Sequence, residues 1–267
     1  MKTYDRISNL LESAGGKPVI LVEGDADVRL YGRLLTLFDP DWQVRYVLEA
    51  AGRKAAVFSG CKRNAAWRGL VDRDQLSAAQ IIQEQLAAPN VQILPRFTAE
   101  NYWIDPGELW SLIPPQVRVA LADAQAQLRI ALDAQRAAWT AHGAMWCVML
   151  GRQAALNLGF PAELIDSPVT DEEKIRAILN GWHDHLKPED ILAEYRAERD
   201  KALARPEHEQ YAQVIHGKRF FRKVVVRELS KAFHLPNKPH GEWAADLLAS
   251  TTGVPTDLRP VLEKLLA

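Results

Sequence analysis

Hydrophobic and polar residues follow different patterns in the two halves of the chain. In the first hundred residues, short apolar runs such as PVILVEG alternate with amphipathic stretches such as DVRLYGRLLTLF. Continuous apolar runs predict buried strands, and stretches of about 10 to 15 residues between them predict helices that cover both faces of a sheet. The pattern therefore predicts an α/β fold with a doubly wound parallel sheet of about four strands.

From about residue 106 the pattern is helical throughout, for example in VRVALADAQAQLRIALDAQRAAWTA and PEDILAEYRAERDKAL. The stretch LARPEHEQ, near residue 205, reads as a break between helices. We therefore divide the chain into an α/β core at 1–105, a helical insert or cap at 106–205, and a C-terminal basic helix and tail at 206–267 that returns to the core.

Carboxylates stand where two of the predicted strands end. Glu23 closes the first strand, and Asp72 and Asp74 close the third. Right-handed crossovers bring the carboxyl ends of parallel strands to one edge, where such sheets bind ligands. Carboxylates that meet in a partly dry crevice require protons or cations. Mg²⁺ prefers hard oxygen ligands, and two such ions can assist the displacement of a phosphodiester, so the sequence predicts a magnesium site here.

Positive charge has to be local, because 33 basic residues against 34 acidic ones leave a formal net charge of −1. In HGKRFFRKVVVRELSKAFH, apolar residues recur every four positions, and cations recur on the opposite side at Arg219, Lys223, Arg227 and Lys231. This pattern predicts an amphipathic helix whose cationic face either binds the backbone of a nucleic acid or is simply solvated. Arg53 and Lys54, after the second strand, could hold a phosphate or form a solvated turn.

Targeting signals are not evident in the sequence. The N-terminal stretch has no continuous apolar segment of the kind found in signal peptides, and no run reaches the roughly 18 apolar residues of a membrane span. The two cysteines follow no metal-ligand spacing and suit a reducing compartment. We therefore expect a cytoplasmic protein without a membrane partner.

The motifs resemble those of a known family. VILVEGDADVRLYGRLL, followed some 50 residues later by GLVDRD, is similar to the TOPRIM domain, the metal-dependent module of topoisomerases, primases and OLD-type nucleases. ILPRFTAENYWIDP and VIHGKRFF resemble more specifically the standalone TOPRIM proteins that accompany an ATPase in bacterial anti-phage defence, including the effector of the PARIS system. The resemblance covers residues 17–105 and a patch at 213–225.

The resemblance implies a set of site residues and a role for each. Glu23 would be a metal ligand or general base, and Asp72 and Asp74 would form the metal-binding pair. Two further metal ligands would be Asp27 and Glu100. The late lysine of the OLD-type nucleases would be Lys218, which would neutralise charge on the phosphate in the transition state. The implied cofactor is Mg²⁺, with Mn²⁺ as an alternative.

These observations lead to a functional hypothesis with open alternatives. We expect a magnesium-dependent nuclease that cleaves DNA or RNA, with transfer RNA among the candidates. By resemblance it would act as a defence effector with an ATPase partner, and a homo-oligomer is a further option. The alternatives are a primase-like nucleotidyl transferase, a topoisomerase, which the chain length disfavours, and a non-catalytic TOPRIM adaptor that binds nucleic acid or protein.

Overall fold

The computed structural model describes residues 16–113, 118, 122–159, 172–184, 186–235 and 238–267. Residues 1–15 of the predicted core lie outside these ranges, as does the stretch 160–171 of the predicted helical insert. Among the helices in the described ranges, none combines the length and the apolar composition needed to cross a membrane.

The sheet of the described residues has four parallel strands in the order β2-β1-β3-β4. The strands are β1 (Val19–Val22), β2 (Val47–Ala50), β3 (Arg68–Val71) and β4 (Val91–Ile93). The predicted α/β class and the four parallel strands are therefore confirmed. Since β1 and β3 are neighbours at the centre of the sheet, the residues that follow them lie side by side.

Helices cover both faces of this sheet, as the continuous apolar runs predict. They are α1 (Asp25–Phe38), α2 (Trp42–Arg45), α3 (Lys54–Arg63) and α4 (Ala78–Ala87). The side chains of β1 alternate between two hydrophobic clusters: Ile20 and Val22 pack with α1, whereas Val19 and Leu21 pack with α3. Alternation along a strand sends successive side chains to opposite faces, so a strand buried on both faces has to be apolar throughout.

The second half is mainly helical, which confirms that part of the prediction. After a 3₁₀ turn (Ala99–Trp103) come α5 (Pro106–Leu112), α6 (Ala122–Gly159), α7 (Glu172–Asp184) and α8 (Pro188–Leu203). The helix α8 ends just before the predicted break near residue 205.

The C-terminal part packs against the first hundred residues. It contains α9 (Glu207–Glu209), a π turn (Gln210–Val214), α10 (Gly217–Phe220), a second π turn (Phe221–Val225), α11 (Val226–Ala232), α12 (His240–Ser250) and α13 (Arg259–Leu266). We call the segment 217–232 the basic helix. Its apolar residues Phe221, Val225 and Leu229 belong to the same buried cluster as Leu30 and Leu34 of α1. This packing brings the basic helix to the core.

Candidate functional site

The carboxylates of the two central strands meet at the edge of the sheet. Glu23 follows β1 and Asp72 follows β3, and the backbone N–H of Asp72 donates a hydrogen bond to Glu23 Oε1 at 3.1 Å. The contact follows from the pairing of β1 with β3, because neighbouring parallel strands end together. The structure therefore brings together two of the three acids that the strand pattern selects.

Asp27 joins this group from the first turn of α1. Its Oδ2 accepts a hydrogen bond from the backbone N–H of Gly24 at 2.8 Å, and Gly24 is the residue that caps the helix. A carboxylate in this position also interacts favourably with the positive end of the helix. The bond leaves Asp27 beside the other acids, and it satisfies an N–H at the start of the helix.

Asp74 is held by its backbone and by a lysine. Its φ of 53° lies in the left-handed region, which aspartate adopts more readily than most residues, and its N–H donates to the carbonyl of Phe97 at 2.7 Å. The ammonium of Lys54 forms an ion pair with its side chain. The turn before Lys54 depends on Gly52, whose φ is 93° and whose N–H donates to the carbonyl of Glu23 at 2.8 Å.

A further acid at this edge comes from the 3₁₀ turn after β4. The N–H of Ala99 donates to Asp72 Oδ1 at 3.1 Å, which places the next residue, Glu100, beside the acids. Lys218, from the basic helix, has its Nζ 3.9 Å from Glu100 Oε1. Lys54 and Lys218 thus pair with different members of the acidic group. We call Glu23, Asp27, Asp72, Asp74 and Glu100 the carboxylate cluster.

Three acids of the cluster, Asp72, Glu23 and Asp27, have raised pKa values. Burial raises the pKa of Asp72 well above its usual range, and the charges of Asp27, Glu23, Glu100 and Asp74 raise it further. The pKa of Glu23 is raised chiefly by burial, although Lys54 opposes this. Burial also raises the pKa of Asp27, against an opposing effect of the Gly24 N–H. The lysines therefore leave part of the negative charge uncompensated.

A cation is the natural means of compensation, and the ligand chemistry fits Mg²⁺. In the described part of the chain, no three His, Cys, Asp or Glu side chains already stand together as a metal-binding group. Instead Glu23, Asp27 and Asp72 each accept a backbone hydrogen bond, and Asp74 pairs with Lys54. The donors are all hard carboxylate oxygens, which Mg²⁺ prefers. Binding would require their side chains to reorient.

A buried tyrosine that the sequence did not single out lies beside the cluster. The side chain of Tyr31 is 1% exposed, and its hydroxyl has no hydrogen-bond partner among the described residues. Its pKa is raised well above the usual value, first by burial and then by the charges of Asp72 and Asp27. Buried hydroxyls are rarely left unpaired, so this group is a ready donor for a water or ligand at the cluster.

Asn101 connects the sheet to the basic helix. Its Oδ1 accepts from the N–H of Thr98 at 2.7 Å, and its Nδ2 donates to the carbonyls of Tyr211 and Ile215 at 2.6 and 2.9 Å. The carbonyl of Tyr211 lies in the first π turn and that of Ile215 directly after it. Asn101 is completely buried, so it fixes the chain that leads to Lys218.

The residues before Lys218 are packed tightly against this amide. A Cβ atom at Gly217 would lie 2.2 Å from Asn101 Oδ1, so only glycine fits. His216 lies between the rings of Phe97 and Trp146, at centroid distances of 5.4 and 5.0 Å. Burial above all lowers the pKa of His216 to about 4, which keeps the imidazole neutral near pH 7.

The cations of the basic helix are exposed, but they form two groups. Arg219 stacks over Trp146 at 4.5 Å, and it lowers the pKa of His142 together with Lys223, after the larger effect of burial. Arg227 and Lys231 both bind Glu228, at 2.6 and 3.1 Å. The π turn adds a residue to one helical turn, so Arg222 takes the place beside Arg227 that regular spacing assigns to Lys223. The π turn thus divides the regular spacing of these cations, while the role of each in binding nucleic acid stays a prediction.

The other two predicted phosphate-binding residues, Arg53 and Lys54, lie in different surroundings. Lys54 belongs to the carboxylate cluster through Asp74, whereas Arg53, the residue before α3, is exposed. Sequence reasoning missed Tyr31, Arg29, Arg33 and Arg222. Of these, Arg222 could have been found from the sequence, since it belongs to a basic run. The other three sit within an ordinary amphipathic pattern that does not distinguish them.

Comparisons with known proteins do not add an identity: no family model matches the chain, and no curated protein matches its sequence.

Proposed function

We propose that this protein is a magnesium-dependent nuclease that cleaves phosphodiester bonds in DNA or RNA. The observation that carries the proposal is the carboxylate cluster at the ends of the two central strands, where burial and mutual repulsion raise the pKa of Asp72 and Glu23. Holding charged carboxylates close together in a partly buried place lowers the stability of the fold. A role in binding a divalent cation and a phosphate substrate would explain the arrangement.

Each side chain has a role that follows from its position. Glu23, Asp72 and Asp74 would hold the cation, which when bound would stabilise charge on the phosphate and on the attacking oxygen. Asp27 and Glu100 would complete the acidic wall. Lys218, 3.9 Å from Glu100, is placed to neutralise negative charge on the phosphate. Lys54 would compensate Asp74 while the cation is absent.

The TOPRIM resemblance extends the proposal to a biological role. Within it, the nuclease would be a defence effector controlled by an ATPase partner, with transfer RNA as one candidate substrate. The primase-like and adaptor alternatives predict different products: a nucleotidyl transferase would extend a strand, and an adaptor would bind without cleaving.

Cleavage by purified protein tests the proposal directly. Labelled single-stranded and duplex DNA and RNA would be incubated with Mg²⁺, with Mn²⁺ and with a chelator. We expect cleavage only with a divalent cation, and a loss of at least about 10²-fold for Glu23→Gln or Asp72→Asn. The matched control is Glu84→Gln, which removes an exposed acid of α4. Equal cleavage by Glu23→Gln and the parent protein would contradict the proposal.

A further inference from the structure

A cavity of about 400 Å³ opens directly beside the carboxylate cluster. Asp27 and Glu100 belong both to the cluster and to the wall of this cavity, so the two spaces are continuous. The buried rings of Trp103 and Phe221 also line it. The volume falls within the range of roughly 300–1,000 Å³ that is usual for small-molecule pockets.

Small residues of α12 keep the opposite wall of the cavity open. The lining residues that this helix supplies include Gly241, Ala244, Ala245 and Ala249. A Cβ atom at Gly241 would meet no atom within 4 Å. Ala245 and Ala249 are exposed, so their short side chains leave room for a ligand.

Three arginines line the same cavity. Within the described residues, Arg29 and Arg222 are exposed and form no hydrogen bond or ion pair. Arg33 donates from Nη2 to the carbonyl of Thr251 at 3.0 Å, but its Nε is buried without a partner. The cavity therefore combines an apolar wall with guanidinium groups that are available for an anion.

Positive charge continues from this cavity along the basic helix. Arg222 also lines a second, more open cavity of about 680 Å³, whose other cations are Arg227, Lys231 and Lys238. A path of cations thus leads away from the carboxylate cluster through Arg222. The backbone of a nucleic acid requires such a path, because it places a phosphate at every nucleotide.

These features favour one kind of occupant. It has a flat apolar group for the cavity, an anion next to it at the carboxylate cluster, and further anions along the cationic path. One nucleotide of an unpaired strand meets all three requirements, whereas a continuous duplex keeps its bases stacked inside the helix.

Building on the nuclease activity proposed above, we propose that this cavity holds the base of one unpaired nucleotide, whose neighbouring phosphate lies at the carboxylate cluster. The substrate is then a single-stranded or looped segment of nucleic acid. Contacts to the face of a base tolerate every base, so the cavity selects unpaired structure more than sequence.

Binding to a cleavage-deficient protein tests this proposal apart from catalysis. In the Glu23→Gln background, the affinity for a fluorescent single strand of about 12 nucleotides would be compared with that for the blunt duplex of the same sequence. Ala245→Phe fills the cavity from an exposed position, and we expect it to weaken single-strand binding about tenfold or more. The matched control, Ala87→Phe, alters an exposed alanine at the end of α4 and should bind normally.

Gly241→Leu provides a second way to fill the cavity if Ala245→Phe destabilises the fold, which a melting curve would reveal. It adds a side chain where the cavity is open and removes a helical glycine. Normal single-strand affinity in a folded Gly241→Leu or Ala245→Phe protein would overturn the proposal.

A scan of abasic substitutions locates the base. One abasic position along the strand should reduce affinity about tenfold in the Glu23→Gln protein and cause little further loss when Ala245→Phe is also present, because both changes remove the same contact. Equal losses in both proteins would overturn the proposal. A second outcome would also overturn it. If Ala245→Phe abolished the binding of a free mononucleotide such as AMP but left strand binding unaffected, the cavity would be an effector site.

Cleavage by the parent protein separates the two proposals. If no nucleic acid is cut in a Glu23-dependent manner, the nuclease function fails. If duplex and single strand are cut equally well and Ala245→Phe cuts both at the parent rate, the nuclease function stands and the nucleotide cavity is wrong.

Discussion

The carboxylate cluster and the basic helix differ in how their charges are held. The acids are partly buried, and Asp72, Asp27 and Glu23 accept hydrogen bonds from backbone N–H groups, which hold them in the metal-free arrangement. The cations Arg219, Arg222, Lys223 and Arg227 lie on the outer side of one helix. Metal coordination depends on ligand geometry, whereas attraction of a polyanion acts over a longer range, so the acids need a more defined setting than the cations do.

Lys218, at the start of the basic helix, connects the two regions through Glu100, and Asn101 determines its place. The amide joins the turn after β4 to the π turn that precedes Lys218. We therefore expect mutations in the connection between the two regions to lower stability more than mutations of the outer cations do.

Asn101→Ala should have the largest effect. It leaves the buried N–H of Thr98 and the carbonyls of Tyr211 and Ile215 without their partner, at about 1–3 kcal/mol for each buried group. We expect the free energy of unfolding to fall by about 3 kcal/mol or more. Chemical denaturation measures this change. Asn64→Ala, which removes one bond to the N–H of Ala66, should cost less than about 1 kcal/mol. Similar losses for both variants would refute the role of Asn101 as a connector.

Gly217→Ala should come next, because its Cβ would collide with Asn101 Oδ1. Overpacking of this kind costs about 1–3 kcal/mol. In the Asn101→Ala background the contacts with Asn101 disappear, while a contact of 2.7 Å with Thr98 Oγ1 remains, so the cost of Gly217→Ala should become smaller without vanishing. Denaturation of the four proteins of this cycle gives the answer, and additive costs would rule out the contact.

The contribution of Asp72, Glu23 and Asp27 to the stability of the metal-free protein should decrease as pH rises. The pKa values of Asp72, Glu23 and Asp27 are raised on folding, so the folded state binds their protons more tightly than the unfolded state does. The resulting stabilisation is complete below the unfolded values of about 4 and is lost as pH rises through the raised folded values. A tenfold difference in proton affinity between the two states is worth about 1.4 kcal/mol.

This dependence can be isolated by comparison with Asp72→Asn. Denaturation in a chelator between pH 4 and pH 8 should show the parent losing stability relative to the variant as pH rises, while the opposite effect of His216 cancels because both proteins contain it. Mg²⁺ should restore more stability to the parent than to Asp72→Asn. Parallel curves for the two proteins would argue against strained carboxylates.

Single cations of the basic helix should have the smallest effects, and these should differ between its two groups. Arg222→Gln should weaken nucleic-acid binding several-fold and reduce the slope of log affinity against log salt by about 1, because one phosphate contact is lost. Lys223→Gln should change binding less, since Lys223 does not line the cavities that Arg222 lines and its charge acts on the pKa of His142. Both variants should keep their stability within about 0.5 kcal/mol. If Lys223→Gln weakened binding more than Arg222→Gln did, the regular stripe expected from the sequence would describe the binding face better.

Much of the fold could be predicted from local patterns. The apolar run of β1 predicted a strand buried on both faces, and its side chains do alternate between two clusters. The spacing of the basic segment predicted an amphipathic helix, yet it could not predict the π turn that exchanges Lys223 for Arg222. A π turn changes the helical register without changing the composition, so a regular period cannot reveal it.

The candidate site divides in the same way. Strand order and the handedness of crossovers are general properties of parallel sheets, so the positions of Glu23 and Asp72 in the sequence were enough to place both acids at one edge. The pairing of Lys54 with Asp74, in contrast, depends on how the turn at Gly52 directs α3.

By itself, then, the sequence determined the strands, the helices and the convergence of the strand-end acids, because local hydrophobic periodicity and chain topology decide these features. Only the tertiary structure decided the bridge from Asn101 to Ile215 across 114 residues and the anchoring of Arg33 on Thr251 across 218 residues. Contacts between such distant segments arise when separate hydrophobic faces pack together, and no local pattern encodes which side chains will then meet. The cavity beside the carboxylate cluster, lined by α1, the 3₁₀ turn, the basic helix and α12, is a product of that packing.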